Sequence, residues 1–296
     1  MSLLNHANDG LPNVLIVLFQ TIAEARGGLG EATLLERLEP PDDLSDQHKV
    51  AQTLRRWLEL GLFEPRNDRI VIADPYRDSK GHAVGSVGHC RIAARTAAFA
   101  HHNNERFWEA DKSKAADLTR SLAWLLVQNV YKVDWKSLAD EESKQLVRED
   151  ARFARNSTRL AGLRMWAPFL GFSWKDMGDY VVDPTLAIRD EIGDLVPKGQ
   201  EVPMDQFLEH LAKVLPVLDQ GAYRREVEDN LDPGSYHRLP AHHLSTALSR
   251  ALYRLRREQV LDLRKRDDSG TAFYMTGADQ SPSQDMITHV ALGRAT

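Results

Sequence analysis

Residues Leu239–Met275 read LPAHHLSTALSRALYRLRREQVLDLRKRDDSGTAFYM. Leu244, Leu248, Ala251, Leu252 and Leu255 recur at three- and four-residue spacing, which predicts a helix over 241–258 with one apolar face. At roughly 100° per residue the opposite face carries His243, Thr246, Arg250, Tyr253, Arg254 and Arg257. Val260–Leu263 then alternates, the Asp-Asp-Ser-Gly of 267–270 turns, and Thr271–Thr276 returns. A β-hairpin whose first strand carries Arg264, Lys265 and Arg266 is therefore expected directly after the helix. Arginine grips guanine or clamps phosphate bidentately, and threonine and histidine add polar contacts. Basic groups on the following strand suit the DNA backbone or minor groove. The competing reading is a solvated helix face.

Moving outward, Met204–Leu218 is amphipathic, Tyr223–Leu231 reads as a second helix, and Asp232-Pro233-Gly234 as a turn. The N-terminus has the same order. A helix is expected from Leu11 to Ala25, with Pro12 in its first turn and Gly27, Gly28 and Gly30 stopping it. A second follows over Glu31–Leu38, and a third, capped by Ser45 or Asp46, reaches Leu60. Gly61 leads out, and Arg69–Ile72 pairs back on the segment begun by Leu62-Phe63. This order, and the phrase LRRWLELGLF over 54–63, resemble winged helix-turn-helix domains. With Val50, Leu54, Trp57 and Leu58 inward, Lys49, Gln52 and Arg56 face out, with Arg55 and His48 at the edge. Glu59 shares that face, so a protein-binding role competes with DNA there.

Between the two lie Asp74–Val87, read as a linker, and a helical stretch from His89 to Val196. GHAVGSVGH lacks the Gly-Lys-Ser/Thr of a phosphate loop. Helices are expected over 91–102, 112–131 and, as one long run that Pro168 ends or kinks, 137–170; Pro184–Val196 is a short one. Trp108, Trp124, Trp135, Trp166 and Trp174 read as core. Arg148, Arg152, Arg155 and Arg159 would form one ridge, either salt-bridged or tracking phosphates. Ile287–Leu292 adds a last strand or helical turn. The expected fold is mainly α with small β-hairpin wings: winged-helix domains at 1–82 and 200–296 flank a helical middle domain at 83–199.

The chain has 296 residues, enough for two or three domains, and a single cysteine, Cys90, so no internal disulfide. The N-terminus lacks signal-peptide features, and the apolar run Val14–Phe19 is too short to span a bilayer, so a cytoplasmic protein without membrane contact is expected. A net charge of −5 argues against blanket adhesion to nucleic acid. Yet seven basic residues fall between Arg250 and Arg266, against Glu258 and Asp262 alone, a local stripe suited to a polyanion. Nucleophile-elbow, Walker and His-Glu-x-x-His motifs are absent. His101-His102, His242-His243 and His89-Cys90 lack the second ligand pair of a zinc site. No catalytic residue, metal or cofactor is expected.

The phrase NHANDGLPNVLIVL, from Asn5 to Leu18, resembles the DpdG proteins, accessory components of bacterial islands that insert 7-deazaguanine bases into DNA and restrict unmodified DNA. The resemblance implies a part in phage defence beside helicase, nuclease and modification partners, and supplies no catalytic motif. The expectation is a non-enzymatic subunit that positions partner enzymes on duplex DNA. Two alternatives stand beside it. A winged-helix transcriptional regulator would dimerise through the middle helices. A kleisin-like scaffold would hold the proteins of an ATPase complex.

Overall fold

A computed structural model describes residues 2–5, 10–25, 27–39, 48–78, 81–109, 112–266 and 271–294. The chain is about half helical, with small antiparallel hairpins. In order run α1 (Pro12–Glu24), α2 (Glu31–Leu38), α3 (Lys49–Glu59), β1 (Phe63–Arg66), β2 (Arg69–Ile72), α4 (Val87–Phe99), α5 (Ala116–Val127), α6 (Leu138–Gln145) and α7 (Ser157–Phe169). Then come β3 (Ser173–Asp176), β4 (Asp179–Val182), α8 (Thr185–Leu195), β5 (Glu201–Pro203), α9 (Met204–Val214), α10 (Ala222–Glu228) and α11 (Thr246–Arg257). β6 (Leu261–Arg264), β7 (Phe273–Thr276), β8 (Pro282–Ile287) and β9 (His289–Leu292) close the chain. The backbone forms two compact units, Met1–Leu118 with Asn156–Leu170, and Thr119–Arg155 with Gly171–Thr296.

In the first unit α1 buries Leu15, Leu18, Phe19 and Ile22, and α3 buries Val50, Leu54 and Trp57. Trp57 packs on Trp166 of α7 with ring centroids 5.4 Å apart. The expected helices and the β1–β2 hairpin are present. The proposed Ser45 or Asp46 cap lies outside the described residues. Asn67 and Asp68, at φ 52° and 60°, form the two-residue turn between β1 and β2. Both in the left-handed region, they match the right-handed twist of the flanking strands. Leu29 bridges Ile70 in antiparallel fashion, adding a third short line to the hairpin. Gly28 makes that approach: a Cβ there would stand 2.3 Å from the Ile70 carbonyl oxygen.

The corner from α3 into β1 is built in a recurring way. Gly61 takes φ 78°, Leu62 donates its amide to the Trp57 carbonyl at 2.9 Å, and Ala73 donates back to Leu62 at 3.0 Å. The second unit repeats it after α11. Gln259 stands at φ 58°, Val260 donates to Leu255 at 2.9 Å, and Gly293 donates back to Val260 at 2.8 Å. The bond spanning five residues closes the last carbonyls of each helix. A further hairpin, β3–β4, follows Gly171 (φ 88°), and Asp183 donates back to Phe172 at 2.9 Å.

That hairpin does not follow from the sequence pattern, nor does the break before it. The expected run over 137–170 is two helices, α6 and α7, separated by an extended segment with one 3-10 turn. Arg148, Arg152, Arg155 and Arg159 therefore form no single ridge. Arg152 instead donates to the Leu146 carbonyl at 2.7 Å. Pro168 lies inside the last turn of α7, where it takes away the amide that would bond the Arg164 carbonyl, and the helix ends one residue later. Among the tryptophans, Trp124, Trp135 and Trp166 are buried, Trp108 is half-buried, and Trp174 is 39% exposed.

The second unit departs from expectation at its C-terminal sheet. β6 pairs with β9, not with the segment that begins at Thr271. β9 is the centre of a three-stranded sheet, β5-β9-β6, while β7 pairs with β8 in its own hairpin. The expected turn at 267–270 lies outside the described residues. Helix α11 also starts five residues later than expected, because Ser245 caps it by accepting the Leu248 amide at 3.1 Å.

Candidate nucleic-acid interface at the C-terminal corner

Helix α11 presents two different basic surfaces. Its apolar stripe is as expected: Leu244, Leu248, Ala251, Leu252 and Leu255 are all buried. Its start is fixed by the Asp219 carboxylate, which accepts the Ser245 amide at 2.7 Å and hydroxyl at 2.6 Å. Thr246, Arg250 and Arg254, each one turn further on, face other parts of the second unit. The Thr246 hydroxyl accepts the Val130 amide at 3.1 Å and donates to the Gln128 carbonyl at 3.3 Å. Arg250 donates to the carbonyls of Val130 and Val182, each at 3.5 Å, lies over the Tyr131 ring at 5.0 Å, and has its Nε 3.7 Å from Asp183. Arg254 is ion-paired with Asp183 and lies over Trp174 at 5.9 Å. Asp183 is nearly inaccessible and also accepts the Thr185 amide at 3.0 Å. Thr246 and Arg250 are thus engaged by the protein itself, and Arg254 in part.

The remaining basic groups are more open to solvent, although Arg256 pairs with Asp285 at 3.4 Å and Arg264 and Arg266 share Glu201. Arg256 and Arg257 are exposed at the end of α11. Arg256 is not among the residues expected from sequence, because it lies between the apolar stripe and the arginine-bearing face of the wheel. Arg256 lies over the Tyr253 ring at 5.1 Å, and Asp285 on β8 takes the Tyr253 hydroxyl at 2.9 Å. Arg264 on β6 pairs with Asp262 and with Glu201 on β5. Arg266 binds the same Glu201 at 2.7 Å, and its hydrogen bond, with Arg264 beside it, holds that carboxyl below its ordinary range. Lys265 and Arg266 are exposed. His243 stacks on Tyr274 at 5.2 Å and is half-buried. Arg256, Arg264 and Arg294 line one concavity of about 400 Å³ together with Gln259 and Asp262. Arg294 is likewise unexpected, because no run of charge surrounds it in the sequence.

In the first unit, Gln52 and Arg55 are exposed and Lys49 is half-buried. Arg56 departs from expectation: it is only 3% exposed and pairs with Glu59 at 2.6 Å. Its stem packs beside Gly10, where a Cβ would stand 3.2 Å from the Arg56 Cγ. Among the described residues no helix is long and apolar enough to cross a membrane.

A profile of the DpdG-like family matches residues 1–269. No curated protein and no solved structure matches the chain. The match spans most of the sequence, and the chain belongs to the DpdG-like family.

Proposed function

From membership of the DpdG-like family and the geometry of the C-terminal corner, we propose that this chain is a non-enzymatic DNA-binding subunit of a DNA modification and restriction system. It holds partner enzymes on duplex DNA. The family supports the modification system. One observation carries the DNA reading: Arg256, Arg257, Lys265, Arg266 and Arg294 open to solvent around the turn from α11 into β6. The element order supports a winged-helix reading of both ends. In each, the last helix turns through a left-handed residue into a strand, and a short line earlier in the chain pairs with the returning strand: Leu29, between α1 and α2, with Ile70, and β5, just before α9, with β9. On this reading segments 1–82 and 200–296 are the two winged helices. The helix end and first strand then grip phosphates, while Arg250 and Arg254 brace the helix from behind.

The N-terminal corner supports a protein-holding role. Its central arginine, Arg56, is buried, which leaves Gln52 and Arg55 with too little charge for a DNA grip. The test is a salt titration of binding to random duplex DNA. Affinity should fall linearly with salt on logarithmic axes as counterions are released. Replacing Arg256, Arg257 and Arg266 together with alanine should cost at least about tenfold and flatten the salt slope by about 1 for each phosphate no longer neutralised. A folded triple variant with unchanged affinity sinks the assignment.

A further inference from the structure

The tip of the β3–β4 hairpin combines features that the fold does not repay. Met177 is 100% exposed, with φ 44°, a region that favours glycine, asparagine and aspartate. Gly178 beside it takes φ 97°. Asp176 and Asp179 are cross-strand partners, so two carboxylates flank the methionine directly opposite each other, an unfavourable like-charge pairing. The matching tip of β1–β2 has the polar Asn67-Asp68 that such a turn prefers. An apolar knob rimmed by carboxylates fits an apolar socket rimmed by cations. Phosphate would repel it.

The second unit carries such a socket at the foot of the same hairpin. Tyr253, Arg254, Arg256 and Arg257 line a concavity, with the Arg256 guanidinium lying over the Tyr253 ring. Arg254 reaches Trp174, which lies on β3. Arginine stems offer apolar surface while the guanidinium groups stay at the rim.

We propose that the hairpin tip of one protomer inserts into the arginine socket of a second copy of this chain, and the second copy's tip into the first. Met177 seats against Tyr253 and the arginine stems, and Asp176 and Asp179 meet the guanidinium groups of Arg256 and Arg257. Plug and socket lie on one hairpin and its base, so a twofold exchange makes both contacts at once and closes the assembly at two. The proposal rests on the DNA reading in one respect only: Arg256 and Arg257 serve both surfaces, so this dimer and DNA exclude one another there.

Sedimentation velocity of the full chain, without DNA, over a wide concentration range tests it. The expected result is a reversible monomer–dimer equilibrium that weakens with salt. Met177→Asn should weaken association at least about tenfold while raising the melting temperature of the monomer, because asparagine suits the turn. A variant carrying Asp176→Lys and Asp179→Lys should stay monomeric, as should one carrying Arg256→Asp and Arg257→Asp. Mixed, the two should form a heterodimer, since acidic tip then meets basic socket and basic tip meets acidic socket. A wild-type chain that is monomeric throughout, a dimer indifferent to Met177→Asn, or charge-swapped variants that fail to pair overturns the proposal. Loss of DNA affinity in the Arg256/Arg257/Arg266 variant alongside any of these results leaves the DNA reading standing and the dimer refuted.

Discussion

Helices α3 and α11 leave through the same backbone corner, yet they are held in place by different forces. Behind α3 the anchor is apolar: Trp57 is fully buried against Trp166. Behind α11 a polar ridge joins the apolar stripe, with Thr246, Arg250 and Arg254 bonded to carbonyls and to Asp183. A basic face on a helical wheel is therefore not yet a binding face. On α11, its inner arginines hold the helix and its last ones, Arg256 and Arg257, meet the solvent.

The contrast can be broken at each anchor. Trp57→Ala should have the largest effect, about 4 kcal/mol, because it empties a close-packed site. Urea denaturation followed by tryptophan fluorescence reads it, and a loss below about 1 kcal/mol would deny that Trp57 locks the corner. Asp183→Ala should cost about 3 kcal/mol, since it strands Arg250 without its carboxylate and removes the acceptor at Thr185. Asp183→Asn should recover part of this, because the amide oxygen still takes the Thr185 amide. Equal losses in the two variants would show that the charge, not the hydrogen bond, matters.

Acidity should separate the units further. Glu142, on α6 in the second unit, accepts the Phe153 and Ala154 amides at 2.8 Å each, yet burial pushes its carboxyl up to about 7 from 4.5. The folded chain therefore favours the protonated form. That contribution is complete below about pH 4.5 and is lost as the pH rises through about 7. For a rise from 4.5 to about 7 its size is on the order of 3 kcal/mol. Melting temperature measured against pH should fall across that window in the wild type and change less in Glu142→Gln.

The smallest effect distinguishes corners that share a backbone angle but not a neighbourhood. A Cβ on Gly61 would meet nothing nearer than the His102 ring at 3.9 Å, so Gly61→Ala should cost only the strained φ, about 1 kcal/mol. On Gly171 it would stand 2.7 Å from the Ala187 amide, so Gly171→Ala should cost about 1 kcal/mol more. Similar losses at the two sites would mean that the α7 corner relaxes freely.

Much of this was legible where the signals are local. Gly61 after a leucine–tryptophan stripe marked the first corner, and Arg69–Ile72 pairing back on Leu62-Phe63 marked its hairpin. The buried stripe of α11 was equally plain. The β3–β4 hairpin escaped because Met177-Gly178 is weak turn chemistry and the strands, with Trp174, Lys175 and Asp176 exposed, do not alternate. The break between α6 and α7 carries neither glycine nor proline, so periodicity ran on through it. At the candidate interface, the sequence supplied the charges but not their partners. Arg250 and Asp183 are far apart in the chain, and a helical wheel holds no information about what packs on its polar side. Pairing of β6 with β9 rather than β7 is non-local for the same reason.

Strand β9 is also the last strand of its sheet to be synthesised. It is the middle strand of its sheet, hydrogen-bonded on one side to β5 and on the other to β6. Both neighbours leave the ribosome before it and have no partner in that sheet until His289–Leu292 emerges. During synthesis the second unit thus exposes two unpaired strand edges, open to chaperones or to wrong partners. A chain stalled just short of these residues would keep Arg256, Arg257 and Arg266 but lose Arg294 and the sheet that joins β5 to β6.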